Sequence, residues 1–364
     1  MKRKQSPDIL LLIVTMALLG FGLVMVYSAS AIMAMARYGD SFYFLKRQTI
    51  YALLGLGAMY ICINLNYWKW KKFIKLFFVL NFVFLVAVII PGVGVTINDA
   101  TRWINLGFMR FQPSDFTKFA LILFTANYLA AQKERILDFF YGIVPLLVIL
   151  GISFGLIMLQ PDLGTAISLA GTIGIMLFAA GAKYRHLLYI AVPGTALMTW
   201  FATSEEYRLR RLTTFRDPWS DVSGAGWQII QSLYGIAGGG LVGVGLGASR
   251  QKSGYLPEAQ TDFIYAIIVE ELGFIGGALV IILFGILVWR GLRTAIKAPD
   301  SFGCYLAMGM TVMIALQVII NIGVVTSSMP TTGITLPLIS FGGTSLIVTL
   351  ASIGIVLNVS RYSY

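Results

Sequence analysis

Long apolar runs separated by mostly short polar loops make up most of this 364-residue chain. About 20 consecutive apolar residues are needed to cross a bilayer as a helix. The pattern predicts an all-α polytopic membrane protein, since the sequence has ten such runs, near 9–29, 49–65, 73–90, 114–131, 142–159, 163–181, 187–201, 263–289, 302–325 and 341–357. The first run is too long for the apolar part of a cleaved signal peptide, so we interpret it as the first transmembrane helix.

The composition and the distribution of charge support this interpretation. Hydrophobic residues make up 58% and charged residues 12% of the chain, whereas soluble domains have about 25% charged residues. The net charge of +11 comes from Lys and Arg residues before the first run, in every second loop and after the last run. Cytoplasmic loops carry such an excess, so we expect both termini in the cytoplasm and no nucleic-acid partner.

One loop, about 202–262, is much longer than the others and is expected on the outer face. Loops of this length without structure are uncommon. Its stretch GWQIIQSLYGI has helical apolar spacing, which predicts a helix at the membrane interface. The following glycine-rich stretch lacks the spacing of a phosphate-binding loop, which favours tight turns and close helix approach.

Few residues of the types used in metal or nucleophilic chemistry are present. The two cysteines, Cys62 and Cys304, fall in or beside apolar runs and are interpreted as small hydrophobic residues. The single histidine, His186, lies in a short basic loop. A disulfide framework, a Ser-His-Asp triad and a histidine-ligated metal are therefore not expected.

Charged residues in or beside the apolar runs need a partner or a function, because a charge at the bilayer centre costs about 2.5–3.5 kcal/mol. Asp115 and Lys118 are three residues apart and share a helical face. They form either a structural ion pair or a site where Lys118 faces an anionic substrate. Asp162 either caps the sixth helix or pairs with Lys118.

The stretch YLPEAQTDFIYA places Glu258 and Asp262 just before the eighth apolar run. Asp262, or Thr261, is a candidate N-cap of that helix. An aspartate there stays ionised and can take a proton from a hydroxyl group. Glu258 is interpreted as its partner or as a cation ligand. Glu270 and Glu271 lie deeper in the same run, and the sequence assigns them no role.

Several arginines are expected on the outer side. Arg102 lies in TRWINLG, and a cluster follows in YRLRRLTTFRDPW, comprising Arg208, Arg210, Arg211 and Arg216. Guanidinium groups match phosphate oxygens well. The cluster therefore binds either the phosphates of a substrate or lipid headgroups.

These motifs carry a resemblance to a known family. The sequence resembles the SEDS family (shape, elongation, division and sporulation) over nearly its whole length, and more closely its division and sporulation branch (FtsW- and SpoVE-like) than its elongation branch (RodA-like). The matching stretches include IPGVG, TRWINLG, FQPSDFTK, QPDLGTA, RLTTFRDPW, YLPEAQTDFIYAIIVEELG and PTTGITLPLISFGGTS. One departure is Asp115, where the family commonly has Glu.

The resemblance implies a single integral membrane domain over residues 1–364 in the bacterial cytoplasmic membrane, with peptidoglycan glycosyltransferase activity. The substrates would be lipid II and the undecaprenyl-linked glycan. Asp262 matches the essential aspartate of the family, and Asp115 and Lys118 match its acidic–lysine pair. Arg102 and Asp162 match other functional positions. Implied partners are a class B penicillin-binding protein, other divisome or sporulation proteins and membrane lipids.

The residues and the resemblance together suggest a mechanism. Asp262 deprotonates the 4-hydroxyl of the acceptor sugar, which attacks the anomeric carbon of the donor with inversion and releases undecaprenyl pyrophosphate. Arg102, Lys118, the Arg210–Arg211 pair or a divalent cation (Mg²⁺ or Mn²⁺) stabilises the leaving group. The alternatives are a lipid II flippase or transporter and a non-catalytic division scaffold. The concentration of polar motifs on the outer side favours the enzyme.

Overall fold

The computed structural model describes residues 5–97, 100–107, 109–132, 135–203, 213–224 and 226–363. Each of the ten apolar runs lies on a helix, because a chain in lipid must satisfy its backbone internally. In chain order the longer helices are α1 Ile9–Tyr38, α2 Tyr43–Asn64, α3 Trp70–Ala87, α4 Pro113–Ala131, α5 Val144–Met158, α6 Leu163–Ala179, α7 Tyr184–Thr203, α8 Trp227–Gly239, α9 Ile264–Ile296, α10 Ser301–Val325 and α11 Gly343–Ser360.

Five helical segments among the described residues are long and apolar enough to cross a membrane. They are Ile9–Tyr38, Phe139–Met158, Ile264–Ile296, Ser301–Val325 and Gly343–Ser360. The second of these joins the π-helical turn Phe139–Ile143 to α5. The fold is thus mostly helical with several membrane-spanning candidates, and the count of ten spans stays a prediction.

A small antiparallel sheet between α3 and α4 corrects the all-α prediction. Its strands are β1 Gly94–Ile97, β2 Ala100–Asn105 and β3 Arg110–Phe111, in the order β1-β2-β3. Gly94 pairs with Ile104 in the first ladder, and Ile104 pairs with Phe111 in the second. The alternation of polar and apolar residues in TRWIN is too short to predict a strand beside the long apolar runs. The sheet matters because β2 carries Arg102.

The first and the last described residues lie at the same end of the helix bundle, which we call the termini end. The Gln5 amide donates to the Arg361 carbonyl at 2.9 Å, and Arg290 pairs with Asp8 at 2.6 Å. The beginning of α10 joins them, because Asp300 caps that helix and accepts bonds from Tyr67 and Trp68. The helices alternate in direction from there, so α4, α6 and α9 all begin at the opposite end.

The described part of the long loop contains helix α8, which confirms the predicted helix in GWQIIQSLYGI. α8 packs along α9, and its Ser232 hydroxyl donates to the Val325 carbonyl of α10 at 2.7 Å. The glycine-rich stretch makes the close approach that the sequence predicted. A Cβ atom added to Gly239 would lie only 2.0 Å from the Val269 carbonyl oxygen of α9.

Candidate active site

Five segments meet at the end of the bundle opposite the termini, which we call the site end. Strand β2, the beginnings of α4, α6 and α9, and the connection 326–342 between α10 and α11 contribute to it. Gly333 lies at the meeting point of two charged groups. A Cβ atom added there would lie 3.6 Å from Asp262 Oδ2 and 3.8 Å from Arg102 Nη1. Gly333 adopts a φ of 73°, a conformation that other residues rarely take.

Asp262 lies just before α9 and is half-buried. The N-cap of α9 is Phe263, and no side chain caps the helix. The prediction that Asp262 or Thr261 caps it was therefore wrong, because a turn over residues 261–263 separates Asp262 from the first helical residue. Its backbone is fixed instead: Asn321 Nδ2 donates to the Asp262 carbonyl at 2.7 Å, and Ser340 Oγ donates to the Thr261 carbonyl at 2.6 Å.

Glu258 belongs to the turn that leads to Asp262 and is exposed. Its φ of 53° is unusual for a residue other than glycine. The carboxylate accepts a hydrogen bond from Thr261 Oγ1 at 3.0 Å, and the Glu258 carbonyl accepts from the Thr261 amide at 3.1 Å. Glu258 thus stabilises the turn, and its role as a partner of Asp262 or as a cation ligand stays a prediction.

Arg102 is held on β2 against the segment that leads to α6. Its Nε donates to the Gln160 carbonyl at 3.1 Å, and its Nη2 donates to the Pro161 carbonyl. These bonds orient the guanidinium group so that Nη1 is its atom nearest to Gly333. A half-buried arginine held in this way is preorganised for an anion, since little side-chain freedom is lost on binding.

Asp162 is the N-cap of α6, in agreement with the capping interpretation. Its carboxylate accepts from the Thr165 amide at 3.2 Å and from Ser114 Oγ at 3.0 Å. Gln112 Nε2 adds a third bond at 3.3 Å. The side chain is almost fully buried. Asp162 therefore joins the beginning of α6 to the beginning of α4, through partners other than Lys118.

The predicted pairing of Asp115 with Lys118 is present. Lys118 Nζ lies 2.8 Å from Asp115 Oδ1, with only 6% and 5% of the two side chains exposed. Thr344 Oγ1 of α11 donates to Asp115 Oδ2 at 3.0 Å and accepts from the Gln112 amide at 3.2 Å. The pair is therefore part of a buried network that connects α4 to α11.

Most of the predicted arginine cluster cannot be placed relative to the site. Arg208, Arg210 and Arg211 lie outside the described residues, and Arg216 is exposed. No group of three or more His, Cys, Asp or Glu residues with metal-site geometry occurs among the described residues. The divalent cation stays a prediction, and we derive no step through it.

Four residues of the site were missed by sequence reasoning: Asn321, Ser340, Thr344 and Gly333. Asn321 Nδ2 also donates to the Ile334 carbonyl at 2.7 Å, so it ties the turn at Asp262 to the connection 326–342. The available signal was weak. Asn321 is a polar residue in an apolar run, where polar groups are expensive, and the other three lie in the quoted stretch PTTGITLPLISFGGTS.

The chain has relatives of known family and neighbours of known fold. The family model described as "Cell cycle protein", covering FtsW, RodA and SpoVE, matches residues 9–364. The chain belongs to the FtsW/RodA/SpoVE family. The resemblance stated from the motifs is thereby confirmed, including its division and sporulation branches.

Relatives of both branches cover nearly the whole chain. Stage V sporulation protein E of Bacillus subtilis is 50% identical over 361 residues, covering 99% of each chain. The probable peptidoglycan glycosyltransferase FtsW of Geobacter sp. strain M18 is 43% identical, covering 99% of this chain and 98% of that protein.

Solved structures share the fold. A chain from a peptidoglycan synthase complex, described for its structural coordination of polymerization and crosslinking, superposes with a TM-score of 0.80 at 30% identity, covering 98% of each chain. The rod shape determining protein RodA of Thermus thermophilus superposes with a TM-score of 0.72 at 27% identity, with the same coverage.

Proposed function

We propose that this FtsW/RodA/SpoVE-family protein is a peptidoglycan glycosyltransferase that polymerises lipid II into β-1,4-linked glycan strands. The observation that carries the proposal is the convergence of Asp262 and Arg102 on Gly333 at the site end. A carboxylate and a guanidinium group that both approach one small residue match the two needs of the reaction, which are a base for a hydroxyl group and a cation for a pyrophosphate.

In the proposed reaction the carboxylate of Asp262 takes the proton from the 4-hydroxyl of the acceptor sugar. The resulting oxygen forms a bond to the anomeric carbon of the lipid-linked donor as the bond to pyrophosphate breaks. The anomeric configuration inverts, and undecaprenyl pyrophosphate leaves. General base catalysis by one such group contributes about 10²–10⁴-fold to the rate.

Arg102 is proposed to stabilise the negative charge that develops on the pyrophosphate. Two of its nitrogens already bind carbonyl oxygens, so the guanidinium group is oriented before the substrate arrives. Such preorganised donors are worth about 10²–10³-fold each in other enzymes. Lys118, Arg210 and Arg211 are proposed as further phosphate contacts, and Glu258 and Asp162 as residues that shape the site.

The proposed orientation places the site end on the outer face of the bacterial cytoplasmic membrane. Ten helices then span the bilayer, both termini lie in the cytoplasm, and the loop of about 202–262 lies outside. The basic residues of alternate loops support this orientation. A class B penicillin-binding protein is the proposed partner, since glycan strands need crosslinking, and one structural neighbour comes from a complex that couples the two activities.

The test is incubation of the purified protein with lipid II in vesicles, alone and with the transpeptidase partner. Glycan strands of increasing length are expected, lysozyme should degrade them because it cleaves the β-1,4 bonds of the glycan, and Asp262→Ala should abolish them. Lipid II that changes leaflet without forming strands would instead identify a flippase. If protein that folds normally neither forms strands nor moves lipid II between leaflets, the proposal is contradicted and a scaffold role remains.

A further inference from the structure

Helix α9 is broken at Gly273, and the glycine-rich loop fills the break. Gly273 has a φ of 70° and a ψ of −171°, which is non-helical. In a continuous helix the amides of residues 274 and 275 would donate to the carbonyls of residues 270 and 271. Instead, Phe274 and Ile275 donate to the carbonyls of Gly240 and Leu241, at 2.9 and 3.2 Å.

Amide groups of the loop in turn donate to carbonyl groups of α9 that the break leaves free. The Val244 amide donates to the Glu270 carbonyl, and the Gly245 amide donates to the Glu271 carbonyl, both at 3.0 Å. The break lies about 14 Å along α9 from its first residue, at a depth where an unsatisfied backbone is costly. The loop thus re-enters the helix bundle and satisfies the backbone groups that the break frees.

The side chains of Glu270 and Glu271 then hold the next part of the same loop. Lys252 Nζ lies 2.8 Å from Glu271 Oε1, with both side chains almost fully buried. Ser28 of α1 donates to Glu271 Oε2 at 2.6 Å and accepts from Lys252 Nζ at 3.2 Å. Ser249 Oγ donates to Glu270 Oε2, and the Arg250 amide donates to Glu270 Oε1 at 2.9 Å. We call Ser28, Lys252 and Glu271 the clamp.

The clamp closes a ring of chain that contains Asp262. Lys252 and Glu271 are 19 positions apart in the sequence, with Asp262 between them. On one side of Asp262 lies the turn with Glu258, and on the other lies the first turn of α9. The ring is anchored near Asp262 by Asn321 and Ser340, and at its far side by the clamp.

We infer that the clamp positions the Asp262 carboxylate opposite Arg102, so that Lys252, Glu271 and Ser28 are positioning residues for the reaction. This inference rests on the proposed function. A buried pair of opposite charges fixes one register of loop against helix, because any shift leaves a charge without a partner. Displacing a reacting group by about 1 Å can reduce a rate by about 10²-fold, so a clamp some ten residues away affects catalysis without touching substrate.

The test replaces the pair with apolar residues of similar size, in the double variant Lys252→Met/Glu271→Leu. Such replacements of buried ion pairs often preserve folding. We expect kcat for lipid II polymerisation to fall by about 10- to 100-fold with KM within about twofold, because substrate contacts are retained. Hydrogen exchange of the amides in residues 255–263 should accelerate about tenfold or more. The single variant Lys252→Arg keeps the positive charge, so it should retain most of the wild-type kcat.

The matched control is Asp8→Asn/Arg290→Gln, which removes an ion pair of similar length at the termini end, about 40 Å along α9 from Asp262. It should alter neither kcat nor exchange in residues 255–263. Should the apolar double variant not fold, Ser28→Ala, which removes one hydroxyl and keeps the ion pair, is expected to show the same two effects at a few-fold size.

The inference would be overturned if the folded double variant had the kcat and the hydrogen exchange of the wild type. If the double variant does not fold, the same result for Ser28→Ala would overturn it. So would a fall in kcat that the control reproduces. If the wild-type protein makes no glycan strands but hydrogen exchange is still faster in the double variant, the proposed function is wrong. The clamp would then still hold the segment around Asp262 in place.

Discussion

Replacing Lys118 with Met tests whether the buried pair with Asp115 serves stability, substrate binding or both. The two charged atoms lie 2.8 Å apart, and about 5% of each side chain is exposed. After the ammonium group is removed, the Asp115 carboxylate still accepts the hydrogen bond from Thr344 Oγ1 at 3.0 Å. Removing one partner of a buried pair costs about 3–5 kcal/mol. For a chain of 364 residues that corresponds to a fall in Tm of roughly 4–7 °C.

The double variant Asp115→Asn/Lys118→Met removes both charges and should recover most of that loss, because no unpaired charge remains buried. If Lys118 also contacts the pyrophosphate, the double variant stays at least about 10²-fold slower in polymerisation despite its recovered Tm. Full activity of the double variant would assign the pair to stability alone.

The assay is thermal unfolding in lipid nanodiscs, followed by fluorescence of the seven tryptophans, together with lipid II polymerisation at 25 °C. Lys46→Met is the matched control, because its pair with Asp40 has a similar length, 2.7 Å, but is exposed. Solvent and salt screen such a pair, so its Tm should equal that of the wild type. A Lys118→Met protein with wild-type Tm would refute the reasoning about burial.

Three further outcomes follow from particular contacts. Asn321→Leu, which frees the carbonyls of Asp262 and Ile334, should lower kcat at least about tenfold with KM little changed; an unchanged kcat would contradict its role. Gly239→Ala should destabilise by about 1–3 kcal/mol, since the new Cβ meets α9, whereas Gly238→Ala, with nothing within 4 Å, should not; equal Tm values would argue against the close approach. Burial and Asp300 raise the pKa of Tyr67 above its ordinary 10.0, so its stabilising contribution is present below pH 10 and is lost as the pH rises further. Wild-type Tm should fall more steeply than that of Tyr67→Phe above pH 10, and parallel curves would count against this contribution.

The helices were predictable because lipid imposes one rule on every segment. A backbone in hydrocarbon must bond to itself, so each long apolar run in the sequence became a helix. The small sheet was not predictable in the same way. Its strands are two to six residues long, and its stability depends on pairing between segments rather than on a local pattern.

The chemistry of the site was easier to predict than its geometry. Asp115, Lys118 and Asp162 stand out because buried charges are expensive, and the pairing of Asp115 with Lys118 is local, over three residues. The cap assigned to Asp262 was wrong because helix α9 begins two residues later than Asp262, after an extra turn. Sequence patterns place helix ends only to within a few residues.

The role of Glu270 and Glu271 depended on contacts that no local pattern contains. Ser28 is 243 positions from Glu271 in the sequence, and Asn321 is 59 positions from Asp262. The break at Gly273 had a partial signal, since glycine inside an apolar run often marks an irregular helix. Which loop fills the break is set by tertiary packing.

The most direct test of Asp262 as the base is the initial rate of lipid II polymerisation by Asp262→Asn at saturating substrate. Asparagine keeps the size of the side chain and cannot accept the proton, so we expect a rate about 10²–10⁴-fold below wild type with wild-type Tm. Asp40→Asn, which changes another half-buried aspartate shortly before a helix, should polymerise at the wild-type rate. An Asp262→Asn protein that makes glycan strands as fast as the wild type would contradict the mechanism.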